Sequence, residues 1–278
     1  MGDGSLHQKG IRLCISKPDQ DVLDHLAALG KSVFNIDASV GEDGGYWALN
    51  FNSTVLRAWF AACGFAKEQP TPDHMGKGKI PHIPTYVLES NDPHVYGSFL
   101  RGLFEADGTN TNCLPSVSTA NEEFVHDIMS LLLTLGMPMH LEDRGISEKS
   151  GKTLYRLRLR NNYFLKEWNR WAGFIGERKR APSNKAFQRA QNERIPVDRQ
   201  LLGSLKIHWS ERNAVTLAVN DRGGMTRPQA ERLLTLDNVS PGALELKRRL
   251  QFTYDVVASN VDGGVQSTFD LSVPEHVS

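Results

Sequence analysis

The tightest constraint on what this chain can fold into is that it lays down one plan of elements twice. Ile11-Arg12-Leu13-Cys14-Ile15-Ser16 alternates as a half-buried strand does, and Leu114-Pro115-Ser116-Val117-Ser118 repeats the pattern more weakly. Each leads into a helix opened by a turn residue, Asp19 in the first copy and Asn121 in the second. The first helix is expected to end at Leu29-Gly30 and the second at Leu135-Gly136, about one turn longer, so the same face stays buried. Two strands follow in each copy. The second of them is Trp47-Ala48-Leu49-Asn50-Phe51-Asn52 in one and Tyr155-Arg156-Leu157-Arg158-Leu159-Arg160 in the other. A helix around Trp59 or Trp168 then closes on Gly64-Phe65 or Gly173-Phe174. Two copies in register over this length predict an α+β chain built from a pseudo-twofold pair of units.

Between the copies lies Phe99-Leu100-Arg101-Gly102-Leu103-Phe104-Glu105-Ala106-Asp107-Gly108. Leu100, Leu103 and Phe104 recur at helical spacing and form one apolar face. Gly102 falls on the same side, where a side chain would hold two backbones apart. Gly108 is expected to close the helix in the left-handed conformation. Asp107 then stands at the last turn, where a carboxylate meets the negative end of the helix dipole and a cation would offset the penalty.

Leu100 to Gly108 resembles the signature of the LAGLIDADG homing endonucleases, with matches at Leu100, Gly102, Leu103, Ala106, Asp107 and Gly108 and with Glu105 replacing the first acid. Met1-Gly2-Asp3-Gly4 resembles the last residues of a second such motif, with Asp3 at the position of Asp107. The resemblance implies two αββαββα repeats, at about 1–75 and 95–182, with saddle-shaped DNA-binding sheets. It implies that Asp3 and Asp107 are catalytic acids that hold Mg²⁺, with the backbone at Gly2 and Ala106 beside the ions. The reaction implied is metal-assisted phosphodiester hydrolysis of double-stranded DNA. Lysines would neutralise developing charge. Lys79, with Lys77 in reserve, resembles the active-site lysine that precedes the second motif, and Lys179 holds the similar place in the other half.

The strand 155–160 carries the physical case for DNA. Tyr155, Leu157 and Leu159 point one way and Arg156, Arg158 and Arg160 the other, so three like charges share one face. A polyanion would relieve that repulsion. Ala48, Asn50 and Asn52 hold the matching positions of the first copy, and Asn reads adenine edges as Arg reads guanine or grips phosphate. Arg178 and Arg180 extend the basic surface. This local segregation matters because the 32 basic and 32 acidic residues give a formal net charge of +0, which supplies no general pull toward nucleic acid.

Cys14, Cys63 and Cys113 are far apart, which argues against a disulfide framework or structural zinc and fits a reducing cytoplasm. The histidines show no ligand spacing. No apolar run approaches a membrane span, and no signal peptide is present.

Residues 183–250 read as a basic connector and a helical hairpin, with a capping-box pattern at Thr226 and Gln229. Residues 251–278 read as strands, and Asp270 and His276 resemble the acid and base of a C-terminal intein splicing block. The expectation is therefore a monomeric intein fragment, similar to those of ribonucleotide reductases. It would join most of a homing endonuclease (1–182) to the C-terminal part of a Hint splicing domain. Its partners would be the intein-less host allele as DNA and the host extein in the full precursor. The chain as given should not splice. The rivals are a LAGLIDADG-like DNA-binding module that has lost cleavage and an RNA maturase.

Overall fold

The computed structural model describes residues 2, 4–68, 80–111, 114–147, 151–184, 194–251 and 264. It forms two compact units, residues 1–193 and 194–278. The first unit is mixed α+β with two antiparallel sheets of four strands. One is ordered β1(Gly4–His7), β2(Gly10–Ser16), β4(Tyr46–Phe51), β3(Ser39–Asp43). The other is ordered β5(Gly108–Thr111), β6(Leu114–Thr119), β8(Thr153–Leu159), β7(Met139–Ile146).

The two sheets share order and register. Gly4 pairs with Leu13, Leu13 with Leu49, and Leu49 with Val40. Gly108 pairs with Val117, Val117 with Leu157, and Leu157 with Leu141. Alternation fixes this register, because a slip of one residue would turn Leu49 or Leu157, both fully buried, toward water.

Helices cover one face of each sheet. In the first half these are α1(Gln20–Phe34) and α2(Thr54–Ala62). α3(Thr85–Glu89) and α4(Pro93–Asp107) lead into the second half, followed by α5(Glu122–Thr134), α6(Leu165–Trp171) and α7(Glu177–Asn184). Asp92 caps α4 by accepting from His94 N at 2.8 Å, and Pro93 takes the first helical position, where its missing N–H costs nothing. Leu100, Leu103 and Phe104 turn inward among Val117, Ile128, Leu157 and Trp168. The first half has a smaller core around Ile11, Ile15, Leu23, Leu49, Phe51 and Leu56.

Four local expectations change. α1 runs on to Phe34 and ends at Asn35 in the left-handed region, so Gly30 is interior. Gly30 is needed for closeness, since a Cβ there would lie 2.1 Å from the Phe51 ring. Asp19 makes no capping bond to α1, whereas Asn121 caps α5 by accepting from Phe124 N at 2.7 Å. Gly108 has φ −85° and ψ 162°, which is extended and not left-handed, because it is already the first residue of β5. Its lack of a side chain serves space: a Cβ would sit 2.4 Å from the Phe104 carbonyl oxygen. Gly102 is exposed, and among the described residues nothing lies within 4 Å of a Cβ there, so no described backbone packs against it.

The second unit contains α8(Arg199–Ser204), α9(Trp209–Arg222), α10(Arg227–Leu236) and α11(Pro241–Gln251), with a short ribbon β9(Ile195–Pro196)–β10(Gly224–Met225). Leu202, Leu205, Val215, Met225, Leu233 and Leu246 form its core. The capping box at Thr226 and Gln229 is present. Asp237 is buried in the α10–α11 turn and accepts from Lys206 N at 2.6 Å and from the Ser240 hydroxyl at 2.5 Å. These donors, the hydroxyl foremost, hold its carboxyl down to about 2.

Candidate active site and nucleic-acid face

α4 delivers Asp107, exposed, to the edge of the second sheet, and Gly108 opens β5 with no residue between them. The first half arrives at the same place. A Cβ on Gly2 would lie 2.3 Å from Ala106 Cβ and 3.4 Å from Asp107 Oδ2. The backbone just before β1 therefore touches the end of α4. Asp3 lies outside the described residues, as do Lys77, Lys79, Asp270 and His276. What the register does give is the place of its neighbour: Gly4 and Gly108 occupy the same slot in the two sheets.

Two lysines approach this meeting point. Lys179 Nζ donates to the Glu105 carbonyl and, at 3.4 Å, to that of Phe104, both in the last turn of α4. Burial pushes its pKa down, opposed by the charges of Glu105, Asp19 and Asp107. Lys67 Nζ donates to the Gly2 carbonyl at 3.3 Å. Sequence reasoning missed Lys67. It follows Gly64 by three residues where Lys179 follows Gly173 by six, so the spacing did not flag it.

The outward face of the second sheet begins two residues beyond Asp107, at Thr109. One row runs Thr109, Ser116, Arg158, His140 across the strands. Arg156 donates to Ser116 Oγ at 3.3 Å, and Arg158 pairs with Glu142 at 3.1 Å. Arg160 is exposed just past the end of β8. The three arginines share a face as expected, but Glu142 on β7 already relieves part of their repulsion. In the first sheet the same row reads Ser5, Arg12, Asn50, Ser39. Asn50 donates to the Ala48 carbonyl at 3.3 Å, and Asn52 to Ser39 Oγ at 3.4 Å. Arg12 is paired with Asp43, whose carboxyl is held down by that guanidinium and by the Tyr46 hydroxyl.

Two expected basic contacts are engaged elsewhere. Arg178 forms a two-pronged pair with Asp19, and Arg180 pairs with Glu177 one turn back.

The donor set bears on which ion could be held. Among the described residues no three His, Cys, Asp or Glu side chains cluster in a way that would hold a metal ion. Asp107 with the Ala106 carbonyl suits a magnesium-type ion, which keeps most of its water and takes one or two carboxylates plus phosphate oxygens. The Gly2 carbonyl fits less well than expected, because it already accepts from Gly4 N at 2.8 Å and from Lys67.

Residues 94–170 match a LAGLIDADG-like domain. That span runs from the first turn of α4 to the last turn of α6 and contains the whole second sheet. No curated protein matches the chain at a significant level. Among solved structures, mesophilic variants of the homing endonuclease I-DmoI align with a TM-score of 0.43 and 14% identity, covering 58% of this chain and 80% of that one. The homing endonuclease I-WcaI bound to its DNA recognition sequence aligns at 0.41 and 12%, covering 67% and 82%. Full-length DUF199/WhiA from Thermatoga maritima aligns at 0.39 and 13%, covering 90% and 86%. Likenesses this shallow leave the chemistry to the chain's own residues. No described helix is long and apolar enough to cross a membrane.

Proposed function

We propose that the first unit is a double-strand DNA endonuclease that uses a divalent metal, Mg²⁺ in the first instance. The observation that carries this reading is the placement of Asp107: an exposed carboxylate at a helix end, touching the backbone of the other half, one residue before the sheet that presents Arg156, Arg158 and Arg160. Asp107 and the Ala106 carbonyl would hold the ion, with Asp3 as the second acid. When bound, the ion supplies a water acidic enough to attack phosphorus at neutral pH. Hydrolysis would join a water oxygen to phosphorus and break one bridging P–O bond, one water proton ending on the released alcohol and the other in solvent. Lys179 and Lys67, held at the two sides of the meeting point, offset the charge gathered on the phosphate oxygens. Arg156, Arg158 and Arg160 grip backbone or read guanine, and Asn50 and Asn52 read the other half-site.

The finer reading is an intein endonuclease acting on the intein-less host allele, monomeric and cytoplasmic, with a splicing remnant at Asp270 and His276. It rests on the sequence block alone. Its test is the reading frame beyond residue 278: a His-Asn pair is expected there, and its absence would remove the host extein as a partner.

The nuclease is tested with a randomised duplex pool enriched for binding to the full chain, then incubated with Mg²⁺ or Mn²⁺ and sequenced at the broken ends. The expected result is a discrete cut in both strands. Asp107→Asn should abolish it and leave affinity unchanged. Tight binding with no cut in any divalent ion would replace the reading with a DNA-binding module.

A further inference from the structure

Arg178 is held by the other half of the molecule. Its Nε–H and Nη2–H donate to Asp19 Oδ1 and Oδ2, each at 2.7 Å. Asp19 is 6% exposed and sits at the start of α1; its backbone carbonyl accepts from Val22 N and Leu23 N, but its side chain makes no capping bond, so its carboxylate is committed to this pair. Arg178 in turn pulls the Asp19 carboxyl below the usual range.

The first turn of α7 is fixed by further groups. Asp21 Oδ2 accepts from Glu177 N at 2.7 Å. Glu105 Oε2 accepts from Ile175 N at 2.7 Å and Gly176 N at 3.1 Å. Asn110 Nδ2 donates to the Lys179 carbonyl at 2.6 Å. Gly176 admits no side chain, since a Cβ would lie 2.8 Å from Val22 Cγ2 and 3.3 Å from Glu105 Oε1. Ile175, just before α7, packs against the core of the first half, and the exposed Glu177 and Arg178 add only polar contacts to that hold.

We propose that Asp19 and Arg178 are positioning residues: through this pair the first half sets where Lys179 of the second half stands relative to Asp107. Charge-assisted two-pronged pairs fix angle as well as distance, and Lys179 follows Arg178 directly in the chain. Breaking the pair leaves the Asp19 carboxylate buried without its counter-charge and removes one of the contacts that hold the turn carrying the lysine. The proposal rests on the endonuclease reading only where it touches cleavage, and its first test needs no DNA.

That test is amine labelling of the full chain with an N-hydroxysuccinimide ester, read by mass spectrometry, with Lys31 and Lys166 as internal references. In Asp19→Asn and Arg178→Gln, labelling of Lys179 should rise roughly fivefold, as expected for loss of a partly exposed charge-assisted bond. Amide exchange at 175–177 should quicken as well. Exchanging the pair, Asp19→Arg with Arg178→Asp, should return both toward the parent. Should Asp19→Asn fail to fold, Arg178→Gln decides, because that side chain is 54% exposed. Parent-like labelling of Lys179 in folded Arg178→Gln overturns the proposal. On a duplex that the parent cleaves, the same variant should slow single-turnover cutting at unchanged Kd. A parent that cuts nothing overturns the nuclease and leaves the labelling result standing.

Discussion

The two halves of the first unit use the same slots for different chemistry. Asn50 and Arg158 occupy one register position, in rows that read Ser5–Arg12–Asn50–Ser39 and Thr109–Ser116–Arg158–His140. The apolar slots barely differ: Leu13 and Leu49 against Val117 and Leu157, with Val40, 51% exposed on the edge strand, opposite Leu49 as Leu141 is opposite Leu157. Burial constrains one face of each sheet to apolar residues, and the other face is free to change. The cores differ too. Trp168 is fully buried against Phe104 and Phe174, whereas Trp59 is 46% exposed beside Phe34 and Phe60. A groove of about 550 Å³, lined in part by Val95, Phe99 and Gly102 of α4 and by Leu26, Trp59 and Phe60, lies between the halves. The lesson is that a shared topology does not imply shared stability. The second half is the better-packed of the two.

The comparison breaks most readily at the tryptophans. Trp168→Ala should cost about 3–5 kcal/mol in urea unfolding of the full chain. Trp59→Ala should cost about 1–2 kcal/mol, mostly its edge contacts, and equal losses would remove the asymmetry.

The outward sheet faces, proposed to meet DNA, come next. On the duplex the chain selects, Arg156→Ala and Arg158→Ala should each flatten the salt dependence of binding by about one unit of slope. Asn50→Ala should leave the slope alone and relax one base position by about 1–3 kcal/mol. A salt effect at Asn50 equal to that at Arg158 would mean that both sheets only grip backbone.

A smaller contrast lies within α4. Gly97→Ala should cost about 1–3 kcal/mol, because its Cβ would stand 2.4 Å from the Trp171 carbonyl oxygen. Gly102→Ala faces open space and should stabilise by up to about 1 kcal/mol through helix propensity. A loss at Gly102 would show that something covers that face in solution.

The smallest effect is on pH. Asp19 has a folded pKa below its ordinary 3.8, so its contribution is complete above 3.8 and fades as pH falls through the folded value. Amide signals of 175–177, followed by NMR during acidification, should broaden below 3.8. The α10–α11 turn of the second unit should persist further, until pH approaches about 2, where Asp237 takes its proton.

Much of this was legible in the sequence because it follows from periodicity. Alternation placed Arg156 and Arg158 outward and Leu157 and Leu159 inward, and the acid before Gly108 marked the helix end. Glycine was harder to read. Gly30, Gly102 and Gly108 were each given a role that glycines commonly have, yet one is interior and tight, one is open and one is extended. The residue type admits all three and only the surroundings choose. The partners of Arg178 and Lys67 were not legible at all. Arg178 reaches Asp19 across 159 positions and Lys67 reaches Gly2 across 65, and a long charged side chain carries no pattern that names its mate.

α4 passes into β5 with no spacer, so helix and sheet share one rigid corner at Gly108. The proposed nuclease would use that corner as a fixed ruler. The bond it severs and the bases it touches lie a constant offset apart, and no swivel can retune one without the other. Variation in such a lineage should change which letters are recognised long before it changes where, within the recognised stretch, the strands come apart.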